Sequence, residues 1–386
     1  MRLIFTLFYF VSFLSFSQNW SSLAPIPTVG RDDGVAFSLN NKGYVVTGNL
    51  GGFTVSNLLW EYDPLFNSWS QKTAFPGTPR QYAGSFVIDQ KAYLIGGISE
   101  NNQPLKDVWK YDPNSNTWEQ LSDFEGLARW SMFSFSINNW GYIGTGTNLD
   151  STMSDCWKYD PKIDQWSQLN PFPGGQRRET FVSVVEDAIF IGAGFSINPI
   201  AFKKDCFAYN WKMDTWKPID DYPEGELGYL TGNNSAQLGI VGGGYNAQGE
   251  FLSSCYGINR MGKWSVLPPL PYAGIRGMSS FTIHSDCYFL TGLTNSLERK
   301  SDLNRISFPK EQLTNATLFP NPAHLLATLI APPNSKATVY TIFGQQKESF
   351  VISESGFYIL SDYPTGWYTI LLQSENEERF LKFVAF

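Results

Sequence analysis

The sequence has few of the residues that metal and nucleic-acid chemistry require. Only two histidines occur among 386 residues, which argues against a histidine-rich zinc, copper or non-haem iron site. The 28 Lys and Arg are outnumbered by 35 Asp and Glu, and they form no basic run. A basic surface that binds the phosphate backbone of a nucleic acid is therefore not expected. We predict no metal, no cofactor and no nucleic-acid partner.

Charge in general is scarce, whereas rings and turn residues are abundant. Charged residues make up 16% of the chain, against about 25% in an ordinary globular protein. Aromatic residues also reach 16%, and there are 34 glycines and 22 prolines. Many rings and many tight turns favour an all-β chain with a large core.

Long hydrophobic runs are missing, except at the N-terminus. After Arg2 an apolar stretch covers residues 3–16, interrupted by Thr6, Ser12 and Ser15. It is shorter than the about 20 residues that span a membrane. Its flanking charge and its small residues are typical of a secretory signal peptide. We predict a signal peptide at 1–17, cleaved after Ser17, and no transmembrane segment after cleavage.

A repeat of about 49 residues occupies the middle of the chain. Its tryptophans are separated by intervals of 49, 49, 48, 50 and 48 residues, at Trp20, Trp69, Trp118, Trp166, Trp216 and Trp264. An apolar strand that ends in glycine recurs as YVVTG, YLIGG, YIGTG and YFLTG, with looser versions IFIGAG and GIVGGG. A later strand recurs as WEYDP, WKYDP and WKYDP.

This pattern resembles the kelch repeat, which forms four-stranded blades of a β-propeller. The last repeat lacks a tryptophan strand of its own, and Trp20 precedes Arg31 by the same 11 residues by which Trp69 precedes Arg80. We therefore predict a six-bladed kelch-type propeller at 18–309, in which residues 19–23 supply the outer strand of the sixth blade. Such closure leaves no incomplete blade.

The last 75 residues or so follow a different pattern. Short alternating strands between Pro and Gly turns predict a small β-sandwich, with LFPNPA, ATVYTIFGQ, YPTGWYTI and RFLKFVAF in order. These four motifs resemble the C-terminal sorting domain of type IX secretion substrates in Bacteroidetes-type bacteria, although Tyr363 replaces the usual leucine. The resemblance covers 313–386 and implies the type IX machinery as a partner. It also implies passage through the periplasm and across the outer membrane, to the medium or the cell surface.

The four cysteines occupy repeat positions that hold small or apolar residues in other blades. Cys156, Cys206 and Cys255 share one position, and Cys287 stands where other blades have Gly or Ala. Equivalent positions in neighbouring blades are expected to lie beyond disulfide reach, which is about 7 Å between Cα atoms. We predict buried thiols that pack in the core.

Arginines mark the start of the innermost strand in most repeats. In a blade of antiparallel strands a–b–c–d, the d–a and b–c connections lie on one face. The b–c connections are the longer ones here, and long loops carry function more often than tight turns. The arginines are therefore predicted to ring the channel mouth on this long-loop face, at Arg31, Arg80, Arg129, Arg177 or Arg178, and Arg276.

The fifth blade interrupts this arginine series. Counting 13 residues back from Gly239, as Arg80 lies 13 before Tyr93, gives Glu226. Aromatic residues lie close by in the sequence, including Tyr229. The predicted ligand-binding residues are thus Arg31, Arg80, Tyr82, Arg129, Trp130, Arg178, Glu226 and Arg276.

Two interpretations of the arginines remain open at this point. Guanidinium groups bind carboxylates through paired hydrogen bonds, and rings stack on sugars, which would make an acidic-glycan or carboxylate site. Alternatively, each arginine pairs with an acid such as Asp32, Asp33, Glu179 or Glu226 and locks adjacent blades together.

Two classes of function fit the sequence. The first is an exported binding module for a glycan, carboxylate or protein, and no nucleophile–base arrangement argues otherwise. The second is an enzyme, because exported six-bladed kelch proteins include a sialic acid mutarotase family whose chemistry needs a carboxylate beside arginines. Glu226 or Glu179 could supply that carboxylate. We expect binding without catalysis as the first hypothesis.

Overall fold

A computed structural model of the chain describes residues 20–307, except 53 and 235–237, and eight short stretches beyond them: 317–319, 326–331, 334–341, 345–352, 357–361, 363–364, 366–373 and 378–385. The chain divides into two compact units, Met1–Phe308 and Pro309–Phe386. The described residues contain strands and no helix. The predicted signal peptide at 1–17 lies outside the described residues.

The described part of the first unit contains six antiparallel blades, and in each of them strands a to d follow one another across the sheet. Blade 1 comprises Val35–Leu39, Lys42–Val46, Trp60–Asp63 and Ser68–Gln71. Blade 2 comprises Gly84–Ile88, Lys91–Ser99, Pro104–Asp112 and Thr117–Gln120. Blade 3 comprises Phe133–Ile137, Trp140–Gly144, Cys156–Asp160 and Gln165–Leu169. Blade 4 comprises Phe181–Val185, Ala188–Gly192, Cys206–Asn210 and Thr215–Ile219. Blade 5 comprises Thr231–Asn234, Leu238–Gly242, Cys255–Asn259 and Trp264–Val266.

The sixth blade is built from both ends of this unit. Its strands are Ser279–Ile283, Asp286–Leu290, Leu303–Ile306 and, as the outer strand, Trp20–Leu23. Trp20 pairs with Ile306 and Leu23 with Leu303. Each a strand contacts those of the two neighbouring blades, and the first contacts the sixth. The all-β propeller fold predicted from the repeat is therefore confirmed.

Aromatic residues at fixed repeat positions hold the blades together. The tyrosine of strand c packs on the tryptophan of strand d, with ring centroids 5.1 Å apart for Tyr62 and Trp69 and 4.4 Å apart for Tyr209 and Trp216. Trp69 also donates a hydrogen bond from Nε1 to the carbonyl of Ala24 in the chain entering blade 1, at 2.8 Å. Trp118, Trp216 and Trp264 donate in the same way to the chain that enters their blades, so these tryptophans join each blade to its neighbour.

The cysteines pack in the core as predicted. All four side chains are buried, and none of the four forms a disulfide. Burial raises the pKa of Cys255 and Cys287 to about 12. They are therefore protonated and weak nucleophiles at neutral pH.

Small side chains line the centre of the ring. Every second residue of the a strands is half-buried and faces the axis, whereas the alternate residues are buried in the core. The residues that face the axis are Ala36, Ser38, Ser85, Val87, Ser134, Ser136, Val182, Val184, Ser280 and Thr282.

The described part of the second unit contains two antiparallel sheets. One comprises Thr317–Phe319, Leu326–Ile330 and Phe357–Ser361, and the other Gln346–Val351, Lys336–Thr341, Gly366–Gln373 and Glu378–Ala385. Leu329 of the first sheet belongs to the same buried cluster as Val339 and Ile370 of the second. Two sheets that share one core form the small sandwich that the sequence predicts.

Candidate functional site at the mouth of the propeller

The chain that enters each blade passes through three positions with distinct environments. We call them the strut, mouth and axial positions, in chain order. The strut positions are Arg31, Arg80, Arg129, Arg177, Leu227 and Ile275; the mouth positions are Asp32, Gln81, Trp130, Arg178, Gly228 and Arg276; the axial positions are Asp33, Tyr82, Ser131, Glu179, Tyr229 and Gly277.

Strut arginines do not line the mouth, contrary to the sequence-based placement of Arg31, Arg80 and Arg129. Each side chain is at most 1% exposed. The Arg129 amide donates to the carbonyl of Leu105 in blade 2. Its Nη1 donates at 3.1 Å to the carbonyl of Thr145 in blade 3, and both Nη atoms bind Asp155 at 2.7 Å. The side chain therefore connects two blades.

The same arrangement recurs in the blades on either side. Arg80 binds both carboxylate oxygens of Asp107, at 2.6 and 2.7 Å, and Arg177 binds those of Asp205, at 2.7 and 3.0 Å. The acids are therefore not those that the sequence proposed as partners. Asp155 and Asp205 directly precede strand c of their blades, and Asp107 lies within strand c of blade 2.

Trp130, Arg178 and Arg276 occupy mouth positions, and Tyr82 an axial position, so these four predicted residues come together. Glu226 does not join them. It is exposed, and Leu227 occupies the strut position. The sequence count began at Gly239, whereas Ile240 is the residue of strand b equivalent to Tyr93, because Ile240 pairs with Asn233 as Tyr93 pairs with Phe86.

Arg276 also differs from the arginines with which the sequence grouped it. Ile275 takes its strut position, and the amide of Ile275 donates to the carbonyl of Leu252 in the preceding blade, as Arg129 does to Leu105. In extended chain, a shift of one residue turns a side chain to the opposite face. Arg178 and Arg276 therefore lie at the mouth instead of between blades.

Axial residues form a ring at the end of the channel. All six have positive φ, from 54° to 61°. The amide of Tyr82 donates to the carbonyl of Asp33 at 2.9 Å, and that of Ser131 donates to the carbonyl of Tyr82 at 3.0 Å. A Cβ atom on Gly277 would collide with the Asp33 carboxylate, so only glycine fits there.

Aromatic side chains from opposite blades meet across the axis. The rings of Tyr82 in blade 2 and Tyr229 in blade 5 lie 6.2 Å apart. The Arg178 guanidinium lies 5.5 to 5.9 Å from four ring centroids, those of Tyr82, Trp130, Phe195 and Tyr229. Contacts of this kind favour the cation in a partly desolvated site.

Ionic groups in this cluster are balanced and interconnected. Arg178 Nη2 lies 3.1 Å from Glu179 Oε1 and donates to Ser131 Oγ at 2.9 Å. Ser131 also donates to Glu179. Arg276 lies 4.7 Å from the Tyr229 ring centroid and 3.4 Å from Asp33 Oδ2.

Asp32 completes the cluster through an arginine that sequence reasoning missed. Arg299, from the b–c loop of blade 6, donates to Asp32 at 2.6 Å. Nothing in the repeat pattern marks Arg299, since its loop differs from one blade to the next. We define the mouth cluster as the set Asp32, Asp33, Gln81, Tyr82, Trp130, Ser131, Arg178, Glu179, Tyr229, Arg276 and Arg299.

Electrostatics single out Asp33 among the acids. Burial and the neighbouring charge of Asp32 raise the pKa of Asp33 well above its ordinary value, although Arg276 opposes the shift. Burial likewise raises the pKa of Tyr229 to about 12. Asp33 is therefore the carboxyl of the cluster that holds a proton most readily.

Several buried polar atoms of the cluster and its surroundings lack a hydrogen-bond partner within the described protein. They are Arg178 Nε, Asp32 Oδ2, Gln81 Oε1 and, next to Glu179, Thr180 Oγ1. A buried polar group without a partner costs about 1–3 kcal/mol. Asp32 Oδ2 lies 3.7 Å from Arg276 Nη2, so Arg178 Nε and Gln81 Oε1 are the buried atoms left without a partner among the described residues of the cluster.

The described residues offer neither a metal site nor a membrane-spanning helix. They contain no group of three or more His, Cys, Asp or Glu side chains that could hold a metal ion. No helix long and apolar enough to cross a membrane occurs in the same part of the chain.

Comparisons with known proteins identify the fold. A family model for the KLHDC2/KLHL20/DRC7 kelch-repeats domain matches residues 8–194. Among 459 matching chains of solved structures, the one titled "Structure of YjhT" has a TM-score of 0.62 and 18% identity, and the match covers 74% of this chain and 97% of that one. A search of curated proteins finds no match.

The chain therefore has a kelch-type β-propeller fold. The family match and the blade topology agree on this, and a fold of this kind suggests a binding module. Fold alone does not identify a ligand, because one architecture hosts many functions. The ligand has to be inferred from the mouth cluster.

Proposed function

We propose that the protein is an exported binding module whose ligand occupies the mouth cluster on the long-loop face. The unpartnered polar atoms of Arg178 and Gln81 are the observation that supports it most directly. The Arg178 and Glu179 side chains are each 13% exposed, so a ligand on this face can reach them.

The ligand that fits best carries a carboxylate together with hydroxyl or amide groups. Three arginines and three acids balance each other in the cluster, so a bare anion gains little there. A carboxylate can bind the free edge of Arg178, since charge-assisted hydrogen bonds to guanidinium are strong. A hydroxyl group can donate to the unpartnered oxygen of Gln81. An acidic glycan offers both, and the rings of Tyr82 and Trp130 offer stacking surfaces.

A glycan array probed with the mature protein, residues 18–386, tests this proposal. We expect acidic glycans to bind and their neutral counterparts to bind at least tenfold more weakly. Arg178→Gln is expected to abolish the signal. Arg260→Gln is the matched control, because Arg260 pairs with Glu186 and Asp187 on the blade surface. Equal binding of all glycans, or an unaffected Arg178→Gln variant, would contradict the proposal.

A second candidate is a carbohydrate isomerase similar to the sialic acid mutarotases. Glu179 favours it, because this carboxylate is partly exposed beside Arg178 and accepts a hydrogen bond from Ser131. A general acid or base beside an arginine that holds a sugar carboxylate is what ring opening requires. Glu226 is exposed and precedes the strut residue Leu227, outside the mouth cluster, so Glu179 takes its place in this hypothesis.

Anomer exchange distinguishes the two candidates. The α and β anomers of sialic acid are followed by NMR after dissolution, with and without the protein. A binding module leaves the exchange rate unchanged at catalytic protein concentrations, whereas a mutarotase accelerates it and loses the effect in Glu179→Gln.

A further inference from the structure

Arg31 is a buried cation that lacks the acid found at the equivalent place in the next three blades. Asp107, Asp155 and Asp205 follow their strut arginines by 27, 26 and 28 residues, and 27 residues after Arg31 the chain has Leu58. Alignment on the tryptophan of strand c also makes Leu58 equivalent to Asp107. Leu58 precedes Trp60 by two residues, as Asp107 precedes Trp109.

The contacts of Arg31 are correspondingly few. Its Nη1 donates to the carbonyl of Thr47 at 3.0 Å and to Ser56 Oγ at 3.3 Å. Its Nε and Nη2 atoms are buried and have no partner among the described residues. In Arg80 and Arg129, by contrast, Nε donates to the carbonyls of Thr78 and Leu127.

Without an acidic neighbour, the positive charge of Arg31 is not compensated. Burial lowers the pKa of Arg31 to about 10, which still keeps the side chain cationic at neutral pH. The residue equivalent to Phe75, whose ring lies 4.8 Å from the Arg80 guanidinium, is Ile26 in this blade. An unpaired buried charge is costly.

The unpaired atoms have a defined geometry. Nε–H and Nη2–H of a guanidinium point in the same direction and form a fork that matches the two oxygens of a carboxylate. In the neighbouring blades the carboxylate, 19% to 40% exposed, binds the strut arginine through Nη1 and Nη2. In Arg31, Nη1 donates to Thr47 and Ser56 instead, so the unpaired edge is formed by Nε and Nη2.

We propose that the Nε/Nη2 edge of Arg31 binds a small monovalent carboxylate-type anion, such as formate, acetate or hydrogencarbonate. The anion supplies the negative charge of the missing aspartate from the Nε/Nη2 side. It strengthens the junction of blade 1 with blade 6, whose Lys300 carbonyl accepts from the Arg31 amide at 3.1 Å. This site is separate from the mouth cluster and does not depend on the function proposed for it.

Thermal unfolding of the full chain in sodium formate, exchanged for sodium chloride at constant ionic strength, tests the proposal. Above the dissociation constant, we expect Tm to rise by roughly 2 °C or more for each tenfold increase in formate. Leu58→Asp supplies the carboxylate internally, so it is expected to raise Tm in chloride and to remove the response to formate. Arg31→Leu, which copies Leu227 of blade 5, is expected to remove the response as well.

Arg178→Gln separates this site from the mouth, since its formate response is expected to match that of the wild type. A wild-type protein whose Tm does not respond to formate would overturn the proposal. A response that survives in Leu58→Asp or Arg31→Leu would overturn it equally, because the anion would then bind elsewhere.

Discussion

At the scale of single residues, one side chain per blade entry decides how two blades are joined. The backbone amide of a strut arginine donates a hydrogen bond to one blade, and its guanidinium donates to the next. The arginine therefore couples the two blades through a buried, charge-assisted contact. Where blade 5 has lost the arginine, it has also lost the acid, since Leu227 and Ser254 replace the pair. Removing both partners together is tolerable, whereas removing one strands a buried charge.

Arg129→Leu is therefore expected to destabilise the propeller by about 3 kcal/mol, because Asp155 and the Thr145 carbonyl lose their partner. The double variant Arg129→Leu with Asp155→Leu is expected to recover at least half of that loss. Urea unfolding of both variants measures the difference. A double variant that is less stable than the single one would show that the pair is stabilising in itself.

The aspartates of these pairs also predict that the fold loses stability in acid. Burial alone would raise the pKa of Asp107 and Asp155, but hydrogen bonds and charge from Arg80 and Arg129 lower it below the ordinary value in the folded state. A lowered folded pKa stabilises above the unfolded pKa of about 3.9 and loses that contribution as the pH falls further. Stability of the wild type is expected to fall below pH 4 more steeply than that of Asp155→Asn, as followed by Tm between pH 6 and 2.5.

At the scale of elements, the tryptophan strand is the unit that makes the ring continuous. Trp20 pairs across strands with Ile306, its ring lies 5.5 Å from that of Phe289, and its Nε1 donates to the carbonyl of Pro268 in the chain entering blade 6. One short strand therefore contacts two parts of the chain that are more than 240 residues away. Loss of this strand exposes the edge of strand c.

Deletion of residues 18–25 is expected to lower Tm by 10 °C or more, because the sixth blade loses its outer strand and the ring loses its closure. Deletion of 2–17 alone is the control and is expected to leave Tm unchanged. An unchanged Tm after deletion of 18–25, measured by calorimetry, would show that closure by this strand contributes nothing.

Blade number and strand order were predictable from sequence because tryptophan, glycine and tyrosine recur at fixed spacing. The orientation of Arg178 and Arg276 was not, because it depends on a one-residue offset, which the strand pairing of Phe190 with Ser183 and of Tyr288 with Phe281 reveals. The residue after each strut arginine was a usable signal. Asp32, Trp130 and Arg178 all stand there, and all belong to the mouth cluster.

At the scale of the whole molecule, two compact units follow one another in the chain. The C-terminal motifs imply an export address, and that role remains a prediction. Removal of 313–386 is expected to leave a folded propeller that stays in the periplasm of its native host. Cell fractionation with immunoblotting measures its location, and a truncated protein that still reached the surface or the medium would contradict the prediction.

Ring closure also explains what sequence could not anticipate about the site. Tyr82 and Tyr229 are 147 positions apart in the chain, and Arg299 comes from a loop without a repeat signature. These residues meet because blades 2 and 5 face each other across the axis and because blade 6 lies beside blade 1. No local pattern encodes contacts of that kind.

The most direct test of the mouth site is a calorimetric titration with two forms of one ligand. An acidic glycan and its methyl ester differ only in the carboxylate charge, so their affinities for the wild type and for Arg178→Gln isolate that single contact. We predict that esterification weakens binding to the wild type by about 10- to 100-fold, the equivalent of one charge-assisted contact, and leaves binding to the variant nearly unchanged. Equal affinities of the wild type for the acid and the ester would contradict a carboxylate site at the mouth.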